Sequence, residues 1–203
     1  MDKSEKFWDR MSGSYDQPDE QYDPSYLQTI SKYLNLDDQL LDYACGTGSF
    51  SCQIAGDVKQ ILAVDISSKM LDTARKKANQ KNIENIDFLH ANIFDERLTK
   101  GGFDVVLAFN ILHLLENPQK AIHQINTLMK PGSVFITDTP CLGELNSFFR
   151  LAIKILSGIG LIPHIEFFRV SELENMIESD FQIIETVPLS QSPPTRLVVA
   201  KRK

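Results

Sequence analysis

A strand, a glycine turn and the start of a helix are expected to follow one another between Leu40 and Phe50. Gly46 and Gly48 let the backbone turn sharply and approach a ligand closely, because neither carries a Cβ atom. The amide groups at the start of the following helix favour an anionic group such as a carboxylate or a phosphate. The stretch therefore predicts a ligand-binding turn at the end of the first strand.

Polar side chains stand at the ends of the predicted strands around this turn. Asp42 lies near the end of the first strand, and Asp65 ends the second, where a carboxylate can accept hydrogen bonds from two ribose hydroxyls. Asn92 follows the third strand, and Asn110 follows the fourth. Open α/β sheets bind ligands at the carboxyl ends of their parallel strands, so these residues predict one site at this edge.

Strand and helix patterns alternate along most of the chain, which is typical of a parallel sheet with helices on both faces. The first strands are predicted at 39–44, 60–65, 86–91, 103–109 and 133–138. Two more, at 181–187 and 195–200, are joined by a short proline-containing loop and must be antiparallel. The prediction is an α/β fold with a Rossmann-like, doubly wound, seven-stranded sheet, mostly parallel and with a C-terminal antiparallel hairpin.

Helices are predicted from apolar periodicity and from capping residues. They are expected at 4–11, 25–34, 49–55, 67–79, 118 to about 130, and 171–178. The segment 130–132, Lys-Pro-Gly, is expected to end the fifth of these helices. Ser171 is expected to cap the last one, with Glu174 completing a capping box.

The overall charge and the cysteines exclude some classes of protein. A net charge of −6 argues against nucleic acid as the main partner, since binding its backbone needs clustered Lys and Arg. Cys45, Cys52 and Cys141 form neither a metal-spaced pair nor an even disulfide set, so no metal site is expected. Reduced thiols, and the lack of a signal peptide or a bilayer-spanning run, predict a cytoplasmic protein.

One domain is expected over 1–203, with two segments outside the strand–helix pattern. The first, about 1–24, is polar and is interpreted either as a helix that covers a sheet edge or as a flap over a bound ligand. It carries four aromatic residues: Phe7, Trp8, Tyr15 and Tyr22.

The second segment is an insert at about 141–168. Within it, 147–159 is apolar except for Arg150 and Lys154, which are four residues apart and share one helix face. We favour a lid that lines an apolar pocket for the molecule on which the protein acts. A structural cap or dimer surface, and a basic amphipathic helix on a membrane, are the alternatives. The sequence is compatible with a monomer or a homodimer.

A nicotinamide- or flavin-binding turn would carry a third glycine where this chain has Ser51. The chain instead resembles the class I S-adenosylmethionine-dependent methyltransferases. It is most similar to the small-molecule group that includes the ubiquinone and menaquinone C-methylating enzymes. The matching stretches are 7–16, 41–48, 63–67, 103–113 and 128–133.

The resemblance implies that S-adenosyl-L-methionine is the cofactor and that its adenosine part lies against the ends of the second and third strands. Asp65 would hold the ribose hydroxyls, and Ile66 and Met70 would pack on the adenine. Asn92 and Ile93 would meet the adenine edge. Asn92 stands where the family commonly has Asp, and its carbonyl can still accept a hydrogen bond from the adenine amino group.

The resemblance also assigns the methionine part of the cofactor. Asp42, Ala44, Gly46 and Gly48 would line it, and Asn110 would lie near its amino group. Ala44 stands where the family commonly has Gly, a small change that still permits a close approach.

His113 and Tyr15 are the candidate catalytic residues. His113 would lie close to the transferred methyl group, and it is expected to be the only histidine near the strand ends. It is a candidate general base or a residue that closes the pocket without titrating. A base is needed only if the acceptor must lose a proton. Tyr15 would close over the cofactor, and Tyr22 is an alternative donor.

The implied activity is methyl transfer to a small, partly apolar molecule by in-line displacement. The catalytic contribution of the protein would then be mostly proximity and orientation. The alternative is a cofactor-binding protein of the same fold without turnover.

Overall fold

A computed structural model describes residues 3–16 and 23–203, and in this part of the chain seven strands form one sheet. They are β1 (Gln39–Tyr43), β2 (Gln60–Asp65), β3 (Ile86–His90), β4 (Phe103–Phe109), β5 (Met129–Pro140), β6 (Phe181–Gln191) and β7 (Pro194–Arg202). The order in the sheet is β3-β2-β1-β4-β5-β7-β6. The first five strands are parallel to one another, and β7 runs antiparallel to both β5 and β6. The predicted fold is confirmed.

Helices alternate with the parallel strands. They are α1 (Lys3–Met11), α2 (Pro24–Ser31), α3 (Ser49–Ile54), α4 (Ser68–Gln80), α5 (Pro118–Leu128), α6 (Ser147–Gly158) and α7 (Val170–Glu178). Short polar side chains begin several of them by accepting a hydrogen bond from a backbone amide of the first turn. Ser67 does so for α4, Asn117 for α5 and Asn146 for α6.

Two local predictions are wrong. The capping box at Ser171 and Glu174 does not form, because α7 begins at Val170 and the Glu172 side chain accepts from the Arg169 amide at 2.7 Å. The segment 130–132 does not end a helix but lies inside β5. The pairing of β5 with β4 is irregular there, and Gly132 adopts a φ of 76°, so the strand accommodates both the proline and the glycine.

The sheet separates two apolar cores. Leu41 faces the core that α5 and α7 cover, where it joins Ile122 and Leu173. Leu40 faces the other core, together with Phe50 of α3. Successive residues of a strand point to opposite faces, so a run of apolar residues serves both cores at once. This packing fixes the carboxyl ends of the parallel strands at one edge of the sheet.

Candidate active site

A cleft of about 1300 Å³ opens at the carboxyl ends of the parallel strands. α1 forms one wall, and the end of α6 with the loop after it forms another. The cleft wall contains most of the residues that the sequence assigned to the site: Tyr15, Ala44, Gly46, Asp65, Ile66, Met70, Asn92 and Asn110. The structure therefore brings together residues from five separate parts of the chain.

Four of the assigned residues do not line this cleft. The side chain of Ile93 is 1% exposed and packs in a core, so it does not face the cleft. Asp42 is buried below the turn, and Gly48 lies within the turn but faces Ala74 of α4. His113 is not part of the wall, although Ile111 and Leu114 on either side of it are. Tyr22 lies outside the described residues.

The turn after β1 takes its shape from left-handed backbone conformations at Ala44, Gly46 and Gly48, with φ of 60°, 55° and 69°. A Cβ atom on Gly46 would meet only the Tyr15 ring, at 3.7 Å. A Cβ atom on Gly48 would lie 2.7 Å from the Cβ of Ala74. Gly46 therefore keeps the cleft open, whereas Gly48 lets α3 and α4 approach each other closely.

Ala44 adopts a left-handed backbone conformation although it carries a Cβ atom, which makes that conformation unfavourable. An L-residue in this conformation costs about 1–2 kcal/mol, and glycine avoids most of that cost but has more entropy to lose on folding, about 0.4–1 kcal/mol. We expect Ala44→Gly to leave the free energy of unfolding unchanged or to raise it by up to about 1 kcal/mol, measured by urea denaturation. Ala78→Gly, inside α4, is the control and should destabilise by about 1 kcal/mol. Equal losses in both variants would contradict this description of the turn.

Asp65 joins the end of β2 to the turn. Its Oδ2 accepts from the Gly46 amide at 2.9 Å, and its Oδ1 accepts from the Ser67 amide at 2.8 Å. Burial raises the pKa of Asp65, although the two amides oppose this by stabilising the carboxylate. Asp65 remains 7% exposed and lines the cleft, so a ligand hydroxyl could share the carboxylate with these donors.

Asp42 is buried below the turn and accepts a hydrogen bond from the Ser51 hydroxyl. Burial raises the pKa of Asp42 to about 6, and the nearby charge of Asp65 adds to the rise. Ser51 stands where a dinucleotide-binding turn carries its third glycine, and here it serves as the partner of a buried carboxyl group. The hydrogen bond between Ser51 and Asp42 thus joins α3 to β1 beneath the turn.

Carboxylates anchor the N-terminal segment over the turn. Asp9 accepts from the Ser67 hydroxyl at 2.6 Å, which places α1 against the start of α4. Asp16 accepts from the Thr47 hydroxyl at 2.5 Å and forms an ion pair with Lys77 at 2.8 Å. Burial acts to raise the pKa of Asp16, but the hydrogen bonds from Lys77 and Thr47 lower it overall.

Asp138, at the carboxyl end of β5, is a site residue that the sequence reasoning missed. It accepts from the Tyr26 hydroxyl at 2.6 Å and from the Asn110 amide at 2.7 Å. Asn110 has a φ of 52°, and Asp138 holds it in this conformation at the cleft wall. The rule that pointed to Asp65, a carboxylate that ends a parallel strand, would also have found Asp138.

His113 lies in a short 3-10 turn after β4 and is largely buried. Its carbonyl oxygen accepts from the Glu166 amide at 2.7 Å, which ties this turn to the insert. Its Nδ1 is buried and has no hydrogen-bond partner among the described residues. Burial lowers the pKa of His113 to about 4, so the imidazole is neutral near pH 7. The expectation that no other histidine lies near the strand ends is wrong, because His90 and His164 line the cleft.

The antiparallel β7 between β5 and β6 is the feature that separates this sheet from a dinucleotide-binding fold. Together with a glycine turn after β1 and a carboxylate at the end of β2, it defines the class I S-adenosylmethionine-dependent methyltransferases. A family model described as a methyltransferase domain matches residues 34–190, and the chain belongs to this family.

Known proteins that resemble the chain agree with this class. A ubiquinone biosynthesis O-methyltransferase from Coxiella burnetii is 29% identical over 168 residues, which is 77% of this chain and 68% of that protein. The structure of a SAM-dependent methyltransferase from Aquifex aeolicus is 17% identical with a TM-score of 0.74, covering 96% of this chain and 98% of the other. The N-methyltransferase NodS from Bradyrhizobium japonicum, in complex with S-adenosyl-L-homocysteine, has a TM-score of 0.72 at 16% identity and 99% coverage of both chains.

The chain is therefore an S-adenosylmethionine-dependent methyltransferase, and none of these relatives supports the alternative of a cofactor-binding protein without turnover. Over residues 3–16 and 23–203, no helix combines the length and the hydrophobicity needed to cross a bilayer.

Proposed function

We propose that this enzyme methylates a small, partly apolar molecule that enters the cleft beside the cofactor. The observation that carries the proposal is the division of the cleft wall. One part is polar and belongs to the strand ends, with Asp65 and Asn92, and another is apolar, with Leu114, Ile159 and Ile162. A polar cofactor and a partly apolar acceptor each find a matching surface in one continuous space.

The residues of the polar part fit S-adenosylmethionine. The carboxylate of Asp65 is positioned for ribose hydroxyls, Gly46 leaves room where a side chain would narrow the cleft, and Met70 offers an apolar surface for a flat base. When bound, the cofactor supplies a methyl group that its sulfonium has already activated. The protein has to orient the acceptor towards that group and to exclude water.

We assign covering roles to the two segments outside the strand–helix pattern. Tyr15, whose ring lies over Gly46, and α1 would close over the cofactor, with Asp9 and Asp16 as anchors. The insert would line the acceptor side as a lid, with Ile159 and Ile162. All of these parts would belong to one domain.

His113 is our candidate for the general base. An imidazole that is neutral near pH 7 can take a proton, and no described residue bonds to its buried Nδ1. Because His113 is not among the residues that line the cleft, this role requires the 3-10 turn that carries it to move towards the acceptor when the acceptor binds. The similarity to an O-methyltransferase favours a hydroxyl group as the acceptor, which would need such a base. Release of S-adenosylhomocysteine across a panel of hydroxylated metabolites tests this assignment, and turnover only of acceptors that lack a hydroxyl would refute it.

Replacing Asp65 by alanine tests the cofactor end of the cleft. We expect Asp65→Ala to weaken S-adenosylmethionine binding by about 1–3 kcal/mol, roughly 5- to 150-fold in Kd, because buried hydrogen-bonding groups lose their partner. Titration calorimetry measures the loss. Asp87→Ala on β3, whose side chain bonds Gln60 outside the cleft, is the matched control. If Asp65→Ala bound S-adenosylmethionine with unchanged affinity, the ribose could not be bound by this carboxylate.

We propose a cytoplasmic location, because Cys45, Cys52 and Cys141 are all free thiols and fit a reducing compartment.

A further inference from the structure

Lys77 of α4 joins three parts of the chain beside the glycine turn. Its ammonium group forms an ion pair with Asp16 at 2.8 Å and donates to the hydroxyl groups of Thr47 and Ser49, at 3.0 and 2.5 Å. An ammonium group has three N–H donors, so each of them has an acceptor here. The Thr47 hydroxyl in turn donates to Asp16 at 2.5 Å. We call these four residues the Lys77 cluster.

The Lys77 cluster lies where the N-terminal segment meets the turn. Asp16 directly follows Tyr15, whose ring lies over Gly46 at the cleft wall. The Tyr15 ring also packs edge-on against Trp8, with the ring centroids 6.1 Å apart. A ligand that enters the cleft beneath Tyr15 has to displace this ring, and a displacement of Tyr15 also moves Asp16, its neighbour in the chain.

The two carboxylates that anchor the N-terminal segment differ in their burial and in their partners. Asp9 is buried and accepts from the uncharged hydroxyl group of Ser67. The side chain of Asp16 is 31% exposed, and the partner that holds it from α4 is the charged Lys77. A partly exposed ion pair opens at a lower cost than a buried one. The end of the segment that carries Tyr15 can therefore open while Asp9 keeps α1 on α4.

The Lys77 cluster acts between two parts of the protein and not on the ligand. Among the described residues, those that line the cleft include none of the four. Lys77 can therefore influence the cofactor only through Asp16 and its neighbour Tyr15. A contact of this kind controls how often a covering segment opens, and so how fast a ligand enters and leaves.

We propose that Lys77 is a positioning residue that holds Tyr15 closed over the cofactor. S-adenosylmethionine enters and leaves when the ion pair between Asp16 and Lys77 opens. This assignment rests on the proposed position of the cofactor at Gly46 and Asp65. It makes the rate of cofactor exchange depend on a residue outside the cleft.

Exchange of radiolabelled S-adenosylmethionine against the unlabelled compound tests the proposal on the full chain. Lys77→Met should raise the dissociation rate constant about tenfold, because a charge-assisted hydrogen bond no longer resists opening. The Kd, measured by calorimetry, should change by less than about threefold, since an open segment also lets the cofactor enter faster. An unchanged dissociation rate constant would overturn the proposal. A Kd that rose as much as this rate constant would also overturn it, because Lys77 would then support only the shape of the turn.

Lys76→Met is the matched control, because it removes the same charge from the neighbouring, exposed position of α4. Its exchange rate should equal that of the unmodified chain. Asp16→Ala should accelerate exchange as Lys77→Met does, and it provides the test if Lys77→Met fails to fold. The double variant should be at most about twofold faster than either single variant, because the same ion pair is lost in all three. Fully additive effects would contradict the pairing.

Asp65→Ala distinguishes a failure of this proposal from a failure of the cofactor position on which it rests. If Asp65→Ala weakens binding but Lys77→Met exchanges at the unmodified rate, the role of Lys77 alone is overturned. If both variants behave as the unmodified chain, the cofactor does not lie at this turn and both assignments fail. Thermal unfolding of every variant verifies that the fold is intact.

Discussion

Replacing His113 with alanine is expected to lower kcat by about 100-fold or more, while the Kd for S-adenosylmethionine changes by less than about twofold. The reason is that His113 is not among the residues lining the cleft, including those that we propose to hold the cofactor, and that its neutral imidazole has an Nδ1 with no hydrogen-bond partner among the described residues. Steady-state kinetics and calorimetry measure the two quantities separately. Equal losses in kcat and in affinity for S-adenosylmethionine would mean that His113 supports binding and is not a general base.

The depressed pKa of His113 also predicts how activity depends on pH. A base works only in its neutral form, so kcat should stay level from neutral pH down to about pH 5 and fall as the pH approaches about 4. An inflection near pH 6.5, the ordinary value for histidine, would show that the base is an exposed histidine. His123→Ala is the control, because His123 lies on the surface of α5 and pairs with Asp180.

The same histidine should make the fold sensitive to acid. The unfolded chain binds a proton at His113 near pH 6.5, whereas the folded chain does so only near pH 4, so stability falls as the pH drops through this window. The full difference corresponds to about 3 kcal/mol. Asp42 acts in the opposite direction, because its raised pKa lets the folded state take up a proton near pH 6. Denaturation of His113→Gln across this range should therefore show a smaller acid loss than the unmodified chain.

Replacing Gly48 with alanine is expected to destabilise the fold by about 2–5 kcal/mol. The left-handed backbone at φ 69° accounts for about 1–2 kcal/mol of this. The rest comes from overpacking, since the added Cβ would lie 2.7 Å from the Ala74 Cβ and 3.3 Å from its Cα. Chemical denaturation without the cofactor measures the loss.

Gly46→Ala is the matched comparison, because Gly46 has a similar backbone conformation but an added Cβ would make only an ordinary contact, at 3.7 Å, with the Tyr15 ring. Its stability loss should be limited to about 1–2 kcal/mol, and its larger effect should be on cofactor affinity. If Gly48→Ala proved as stable as Gly46→Ala, the close approach of α3 and α4 would not depend on this glycine.

The edge of the sheet that carries the site was predictable because strand ends can be read from local pattern. An apolar run that stops at Asp65 or Asn110 marks both a strand and its exposed end. The side chain of Ile93 shows the limit of this reasoning. Its position after β3 was predicted correctly, but whether its side chain turned to the cleft or to the core depended on tertiary packing, and it joins the core that α5 and α7 cover.

The anchoring of the N-terminal segment was not predictable from the sequence. Asp16 and Lys77 are far apart along the chain and meet only because α4 folds against the turn. Isolated polar residues of this kind carry no periodicity, and their pairing is set by tertiary contacts. The same holds for α6, where the apolar side chains were evident from the sequence but their exposure was not.

A crystal structure of the complex with S-adenosyl-L-homocysteine tests the account most directly. We predict that the ribose hydroxyls lie within hydrogen-bond distance of the Asp65 carboxylate, with the adenine against Met70 and the amino-acid part near Gly46. Binding elsewhere, such as in the groove between Lys6, Arg10 and Lys69, with Asp65 making no ligand contact, would contradict it.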